Sequence, residues 1–226
     1  MVTKEVRLAR TEQSARQTRL RRIIHAIILW SVPLVIIGGI WYPYLGFIVP
    51  VVMVMGMVGG LFRGRFICGW GCPRGGFLER VMARLSLHLG IPAFLRRYDV
   101  RWPLFALLMA FMVWRLSLDP SSPEHWGKVF WLMCTITTGL GIVLAVLFAP
   151  RTWCSFCPVG TFASTVGGHK RPLQIDPGCR GCKICEKACP LHLQIAKDAE
   201  VGHLTDRDCL RCGECIAVCP VKVLHF

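Results

Sequence analysis

Acidic side chains are scarce in this 226-residue chain: 13 Asp and Glu stand against 27 Lys and Arg, for a formal charge of +14. A surplus of that size suits nucleic acid, but its distribution does not. The last 48 residues carry seven basic and six acidic groups. The excess sits beside apolar runs, where it orients a membrane protein. Charge is almost missing from four stretches, about 23–40, 45–62, 102–118 and 129–149. At ~1.5 Å per residue each is long enough, or nearly so, to cross a ~30 Å hydrocarbon core. With 54% hydrophobic residues and a mean hydropathy of +0.49, a purely soluble chain is excluded. A small-x-small cleavage site is also lacking. The basic segment 1–22, with Arg21-Arg22, looks at first like a signal peptide. The apolar run after it passes directly into Trp41-Tyr-Pro-Tyr44 and further apolar sequence, so a retained first span is expected.

Loop charge sets the expected topology. Residues 63–101 hold eight arginines against Glu79 and Asp99, whereas 119–126 is poor in Lys and Arg. Both termini and the basic loop are therefore expected on the cytoplasmic side of a bacterial inner membrane. Within that loop Leu78, Val81, Met82, Leu85 and Leu89 share a helical face, which predicts a helix over 77–89 lying on the inner leaflet or covering the loop. Gly56 and Gly60 form a GxxxG spacing that admits a close helix. Arg115, near the outer end of the third span, reads as a snorkelling side chain or a proton or quinone group.

What the chain has in quantity is cysteine, 13 in all. Cys179, Cys182, Cys185 and Cys189 precede Pro190, and the pattern repeats 30 residues later as Cys209, Cys212, Cys215 and Cys219 before Pro220. Three thiolates at every third position and a fourth before proline is the spacing of two-cluster bacterial ferredoxins, in which the fourth cysteine ligates the other cluster. The expected sets are Cys179, Cys182, Cys185 and Cys219 for one 4Fe–4S cluster, and Cys209, Cys212, Cys215 and Cys189 for the second. Structural zinc sites pair two short couples across a long gap, unlike either run. Cluster ligands must stay reduced, which fits a reducing compartment. The fold class is thus a membrane all-α part of four transmembrane helices (23–171) plus a small α+β two-cluster ferredoxin domain (172–226). Its internal repeat predicts two similar halves, with Val221–Phe226 as a closing strand.

Four further cysteines follow the second and fourth spans, as Cys68-Gly-Trp-Gly-Cys72-Pro73 and Cys154-Ser-Phe-Cys157-Pro158. They are expected at one membrane depth, beside the ferredoxin part. A third iron–sulfur centre, two redox-active dithiols and structural Cys-Pro turns all remain open from the residues alone. Cys134, alone in mid-span, reads as a small buried side chain. Candidates for a quinone site at the inner interface are His25, Arg101, Trp102 and Trp153. On the outer side they are Glu124 and His125. Each also reads as an anchor or loop residue.

Four helices, a Cys-x-x-x-Cys-Pro motif and a C-terminal two-cluster ferredoxin together resemble the NapH family, from about residue 20 onward. NapH-type proteins are membrane-bound ferredoxin-type subunits of periplasmic nitrate reductase systems. The core of NosR, MauN and CcoG are similar. Cys154-Ser-Phe-Cys157 has two intervening residues where these relatives have three. The resemblance implies electron transfer between the quinone pool and another iron–sulfur or haem protein. CcoG-type metal-reducing maturation and a simple membrane-anchored ferredoxin are the alternatives.

Overall fold

The computed structural model describes the backbone of residues 4–226 and side chains from residue 12 onward. The side chains of Lys4, Glu5, Arg7 and Arg10, part of the basic N-terminal segment, lie outside the described residues. Helices α1 (Lys4–Ile28), α2 (Ser31–Gly38), α3 (Ile48–Arg63), α4 (Phe66–Trp70) and α5 (Pro73–Val81) form the first half of the membrane part. Helices α6 (Tyr98–Ser117), α7 (Pro123–Leu147), α8 (Thr152–Phe156) and α9 (Pro158–Gly167) complete it. Among the described residues, four helical stretches are long and apolar enough to cross a membrane: Glu12–Gly38, Pro43–Arg63, Tyr98–Ser117 and Pro123–Leu147.

The first span breaks between α1 and α2 for a local reason. Pro33 has no N–H to give to the Leu29 carbonyl, and the Ser31 hydroxyl instead donates to the Ile28 carbonyl at 2.7 Å. Upstream, the basic segment is helical from Lys4 and continuous with the span. Ser14, Thr18, Arg21 and His25 are all buried. Their spacing of three and four places them in one stripe, which faces the ferredoxin part: Ser14 Oγ donates to the Gly213 carbonyl at 3.0 Å.

The expected helix over 77–89 is corrected. Helix α5 ends at Val81, a 3-10 turn covers Met82–Arg84, and the chain is then irregular. Leu78 and Met82 are buried, but Leu85 and Leu89 are exposed. The cause is visible in the backbone. Leu87 N–H donates to the Val146 carbonyl at 2.9 Å, and His88 and Gly90 adopt positive φ, so the helical register cannot continue. Gly56 and Gly60 do receive a close helix, and it is α9: a Cβ on Gly60 would stand 2.8 Å from the Ala163 Cβ.

The ferredoxin part contains β1 (Gln174–Ile175), α10 (Ile184–Lys187), α11 (Glu214–Ala217) and β2 (Leu224–His225). The strands pair antiparallel, Gln174 with His225 and Ile175 with Leu224, so the closing strand is shorter than the alternation over 221–226 suggests. Positive φ recurs at Gly181 and Arg211, Lys183 and Gly213, and His192 and Lys222. Each pair is separated by the repeat distance, so the two halves turn alike.

Candidate metal centres

Two hollows open in the ferredoxin part. Cys179, Cys182, Cys185 and Cys219 line one. Cys189, Cys209, Cys212 and Cys215 line the other. The left-handed residues Gly181, Lys183, Arg211 and Gly213 bend each cysteine loop around its hollow. Burial pushes the Cys209 thiol up to about 12 and that of Cys212 to about 11, so without a metal these groups hold their protons. Four soft donors around one hollow, with turns that aim them inward, fit an iron–sulfur cluster. Among the described residues no three His, Cys, Asp or Glu side chains close on a single ion.

A third space lies at the membrane side. Cys68, Cys72, Cys154 and Cys157 line one end of a cavity of about 160 Å³ that reaches between the spans to Val35, Met53, Met112 and Thr137. Two similar segments deliver these cysteines. In each a buried arginine, Arg65 or Arg151, directly precedes a five-residue helix, α4 or α8. Three residues after the arginine comes the first cysteine, Cys68 or Cys154. The second, Cys72 or Cys157, is the N-cap of the next helix, with proline at its first position. The shorter second motif lacks the residue corresponding to Gly71, and the turn between the two helices absorbs the difference.

The arginines cross over. Arg65 donates to the Cys154 carbonyl, and Arg151 donates to the Cys68 carbonyl at 3.0 Å. Glycine gives each guanidinium its room: a Cβ on Gly160 would stand 2.8 Å from Arg65 Nη2, and one on Gly75 3.2 Å from Arg151 Nη1. Each arginine also shares a carboxylate with another buried arginine. Asp208, next to Cys209, takes Arg65 at 3.0 Å and Arg101 at 2.9 Å. Glu79 takes Arg151 and Arg21, both at 2.6 Å. Arg21 further reaches Glu214 at 2.9 Å and the Gly69 carbonyl at 2.8 Å. One side chain therefore ties the first span, the Cys68 loop and the ferredoxin part together.

Burial pushes the Cys68 thiol up to about 12, against the pull of Arg65, and that of Cys154 to about 11, against Arg151. A reactive dithiol needs a lowered pKa and access, and neither Cys68 nor Cys154 is lowered. A bound metal would displace those protons. Burial alone would raise the Glu79 carboxyl, but Arg151 and Arg21 overcome it and hold the group at about 2.

The candidate quinone residues are not gathered in one place. His25 is fully buried, with Nε2 3.1 Å from the Gly69 carbonyl. Arg101 is fully buried on Asp208. Trp102 is 39% exposed. Only Trp153 of the four lines the cavity, and its buried indole N–H has no partner. On the far side, the His125 ring stands 2.8 Å from the Arg115 carbonyl, and Glu124 is exposed. Cys134 is buried and also lines the cavity. Sequence reasoning passed over Arg21, Arg65, Arg151, Glu79 and Asp208. The shared placement of Arg65 and Arg151 before their cysteines was the available signal.

Two family models match the chain. A 4Fe-4S dicluster domain covers residues 178–224. A 4Fe-4S binding domain matches twice, over 45–92 and 129–175, the two segments that carry the arginines and Cys-Pro motifs. An uncharacterised protein of Methanocaldococcus jannaschii is 29% identical over 185 residues, 74% of this chain and 73% of that protein. The ferredoxin-type protein NapH of Haemophilus influenzae is 26% identical over 72% of this chain and 62% of its own length. NapH of Escherichia coli K12 is 24% identical over 70% of this chain and 60% of its own length. The chain thus spans about three fifths of both NapH proteins. No solved structure matches it.

Proposed function

We propose that this chain, an iron–sulfur electron-transfer protein of the NapH type, passes electrons between the membrane quinone pool and another iron–sulfur or haem protein of a respiratory reductase system. Cys179, Cys182, Cys185 and Cys219 hold one 4Fe–4S cluster, and Cys209, Cys212, Cys215 and Cys189 the second. Cys68, Cys72, Cys154 and Cys157 hold a third centre. When bound, these groups supply one-electron carriers at three successive positions. The chain's own residues supply the positions.

One observation supports this reading above the rest. The cavity that ends on the four membrane-side cysteines opens among the spans, while the same site touches the ferredoxin part through Arg65 and Asp208. A carrier there stands between the apolar phase and the module. The cavity is lined mostly by apolar side chains, Trp153 among them, which suits a quinone ring. The charge of the basic loop 63–101 supports a cytoplasmic orientation of this end and both termini in the inner membrane, by the positive-inside rule.

The test is anaerobic mixing of the chain in nanodiscs with a menaquinol analogue. Bleaching of the cluster absorbance is expected, or, after dithionite reduction, recovery of colour on adding the menaquinone analogue. An iron count of about twelve per chain, rather than about eight, is expected on the same sample. Bleaching by dithionite with no response to either quinone form overturns the quinone reading.

A further inference from the structure

Four arginines in the membrane-side network, Arg21, Arg65, Arg101 and Arg151, are each at most 1% exposed. They share three carboxylates, Glu79, Asp208 and Glu214, and the last also serves the exposed Arg22. A buried cation without a counterion is strongly destabilising. The surplus lies beside the cysteines, where Arg65 donates to the Cys154 carbonyl and Arg151 to the Cys68 carbonyl. Arg65 lines the same cavity as Cys68, Cys72, Cys154 and Cys157. Arg65 Nε and Arg151 Nη2 are buried without hydrogen-bond partners.

We infer that Arg65 and Arg151 are a matched pair of positioning residues that form a cationic socket for a four-thiolate anion, each segment supplying two thiolates and a cation that holds the first cysteine of the other segment by its carbonyl. The inference rests on the third centre proposed above. Three independent features fit it: the equivalent placement of the arginines, the crossover to the opposite cysteine carbonyl, and the glycine on each side that admits the guanidinium. A purely structural ion pair explains the contacts to Glu79 and Asp208. It leaves the surplus charge and the two orphaned nitrogens without a purpose.

A socket of this kind has a sign. Cations near a centre stabilise its more negative, reduced form and raise its potential. Removing an arginine therefore lowers the midpoint or empties the site, and neutralising a carboxylate partner raises the midpoint. The experiment uses the full chain in nanodiscs, with iron counting and potentiometric titration followed by electron paramagnetic resonance. Arg65→Met and Arg151→Met are each expected to lose about a third of the iron, or to keep it with the third centre's midpoint lowered, and by similar amounts. Asp208→Asn and Glu79→Gln are expected to raise that midpoint.

The two ferredoxin signals persist in Arg151→Met and Glu79→Gln. Should the arginine variants fail to fold, the carboxylate variants, which keep both cations, carry the test through the upward shift. Unchanged iron and midpoint in the variants, or shifts of one sign in all of them, would overturn the socket. A wild-type count of about eight iron atoms overturns the third centre itself, and the two failures are thereby separated.

Discussion

The ferredoxin module and the membrane-side site are each built from two similar halves, and the halves trade different groups. In the module the group that crosses is a cysteine: Cys219 joins the hollow of the first run and Cys189 that of the second. At the membrane the group that crosses is an arginine, while all four cysteines line one cavity. Trading a ligand makes two hollows that depend on one another. Trading a cation makes one space shared between halves. The surroundings differ accordingly. The module's core is built from its own cysteines with Leu173, Leu193, Leu210 and Val223, whereas the membrane-side site is wrapped in ion pairs.

That contrast breaks first under iron removal. The module has two-residue strands and a core lined by thiols, so chelation under reducing, anaerobic conditions is expected to unfold residues 172–226. Hydrogen exchange there rises by orders of magnitude, while the span amides stay protected. Equal loss in both regions would make them one cooperative unit.

The ion pairs come next. Asp208→Ala leaves Arg65 and Arg101 buried without their carboxylate, at a cost of about 3–5 kcal/mol in denaturation measurements. Asp99→Ala removes the partner of Arg97 in a pair whose side chains are 79% and 70% exposed, and is expected to cost about 0–1 kcal/mol.

Acid sharpens the same distinction. A carboxyl held low in the folded chain contributes stability that is fully present above its unfolded value and is lost as pH falls through its folded one. For Glu79 the window runs from 4.5 down to about 2. Contact of α1 with the Cys68 loop, followed by cross-linking or hydrogen exchange, is expected to weaken across that window. Glu79→Gln is expected to flatten the response.

Small effects also test the room left for the guanidinium groups. Gly160→Ala brings a Cβ to 2.8 Å from Arg65 and Gly75→Ala to 3.2 Å from Arg151. Because a long side chain yields at its tip, each is expected to cost about 1 kcal/mol, toward the low end of overpacking. Thermal shifts should rank Gly160→Ala as the worse.

Legibility in the sequence followed the strength of the pattern. Four apolar runs and a cysteine spacing repeated after 30 residues were readable because period and residue type carry them. The stripe Ser14, Thr18, Arg21 and His25 was not, since polar side chains on a helix read as a solvated face until a partner such as Gly213 or Glu214 is known. The helix over 77–89 was misread because a long-range bond, Leu87 to Val146, ends its register. The two Cys-Pro motifs at the membrane were readable, but the arginines three residues before Cys68 and Cys154 were not, since a basic residue beside a span reads as a topology signal until its buried carboxylate is known.

The crossover of Arg65 and Arg151 also orders the birth of the protein. As the chain leaves the ribosome, Cys68, Cys72, Arg65 and the Arg21–Glu79 pair are all made long before Arg151. Until the fourth span has been inserted, the early half lacks both the guanidinium that bonds the Cys68 carbonyl and the two thiols of the second segment. The centre proposed for these four cysteines would therefore be loaded on the finished polypeptide, after membrane insertion, and a chain arrested after its third span would carry half of that site.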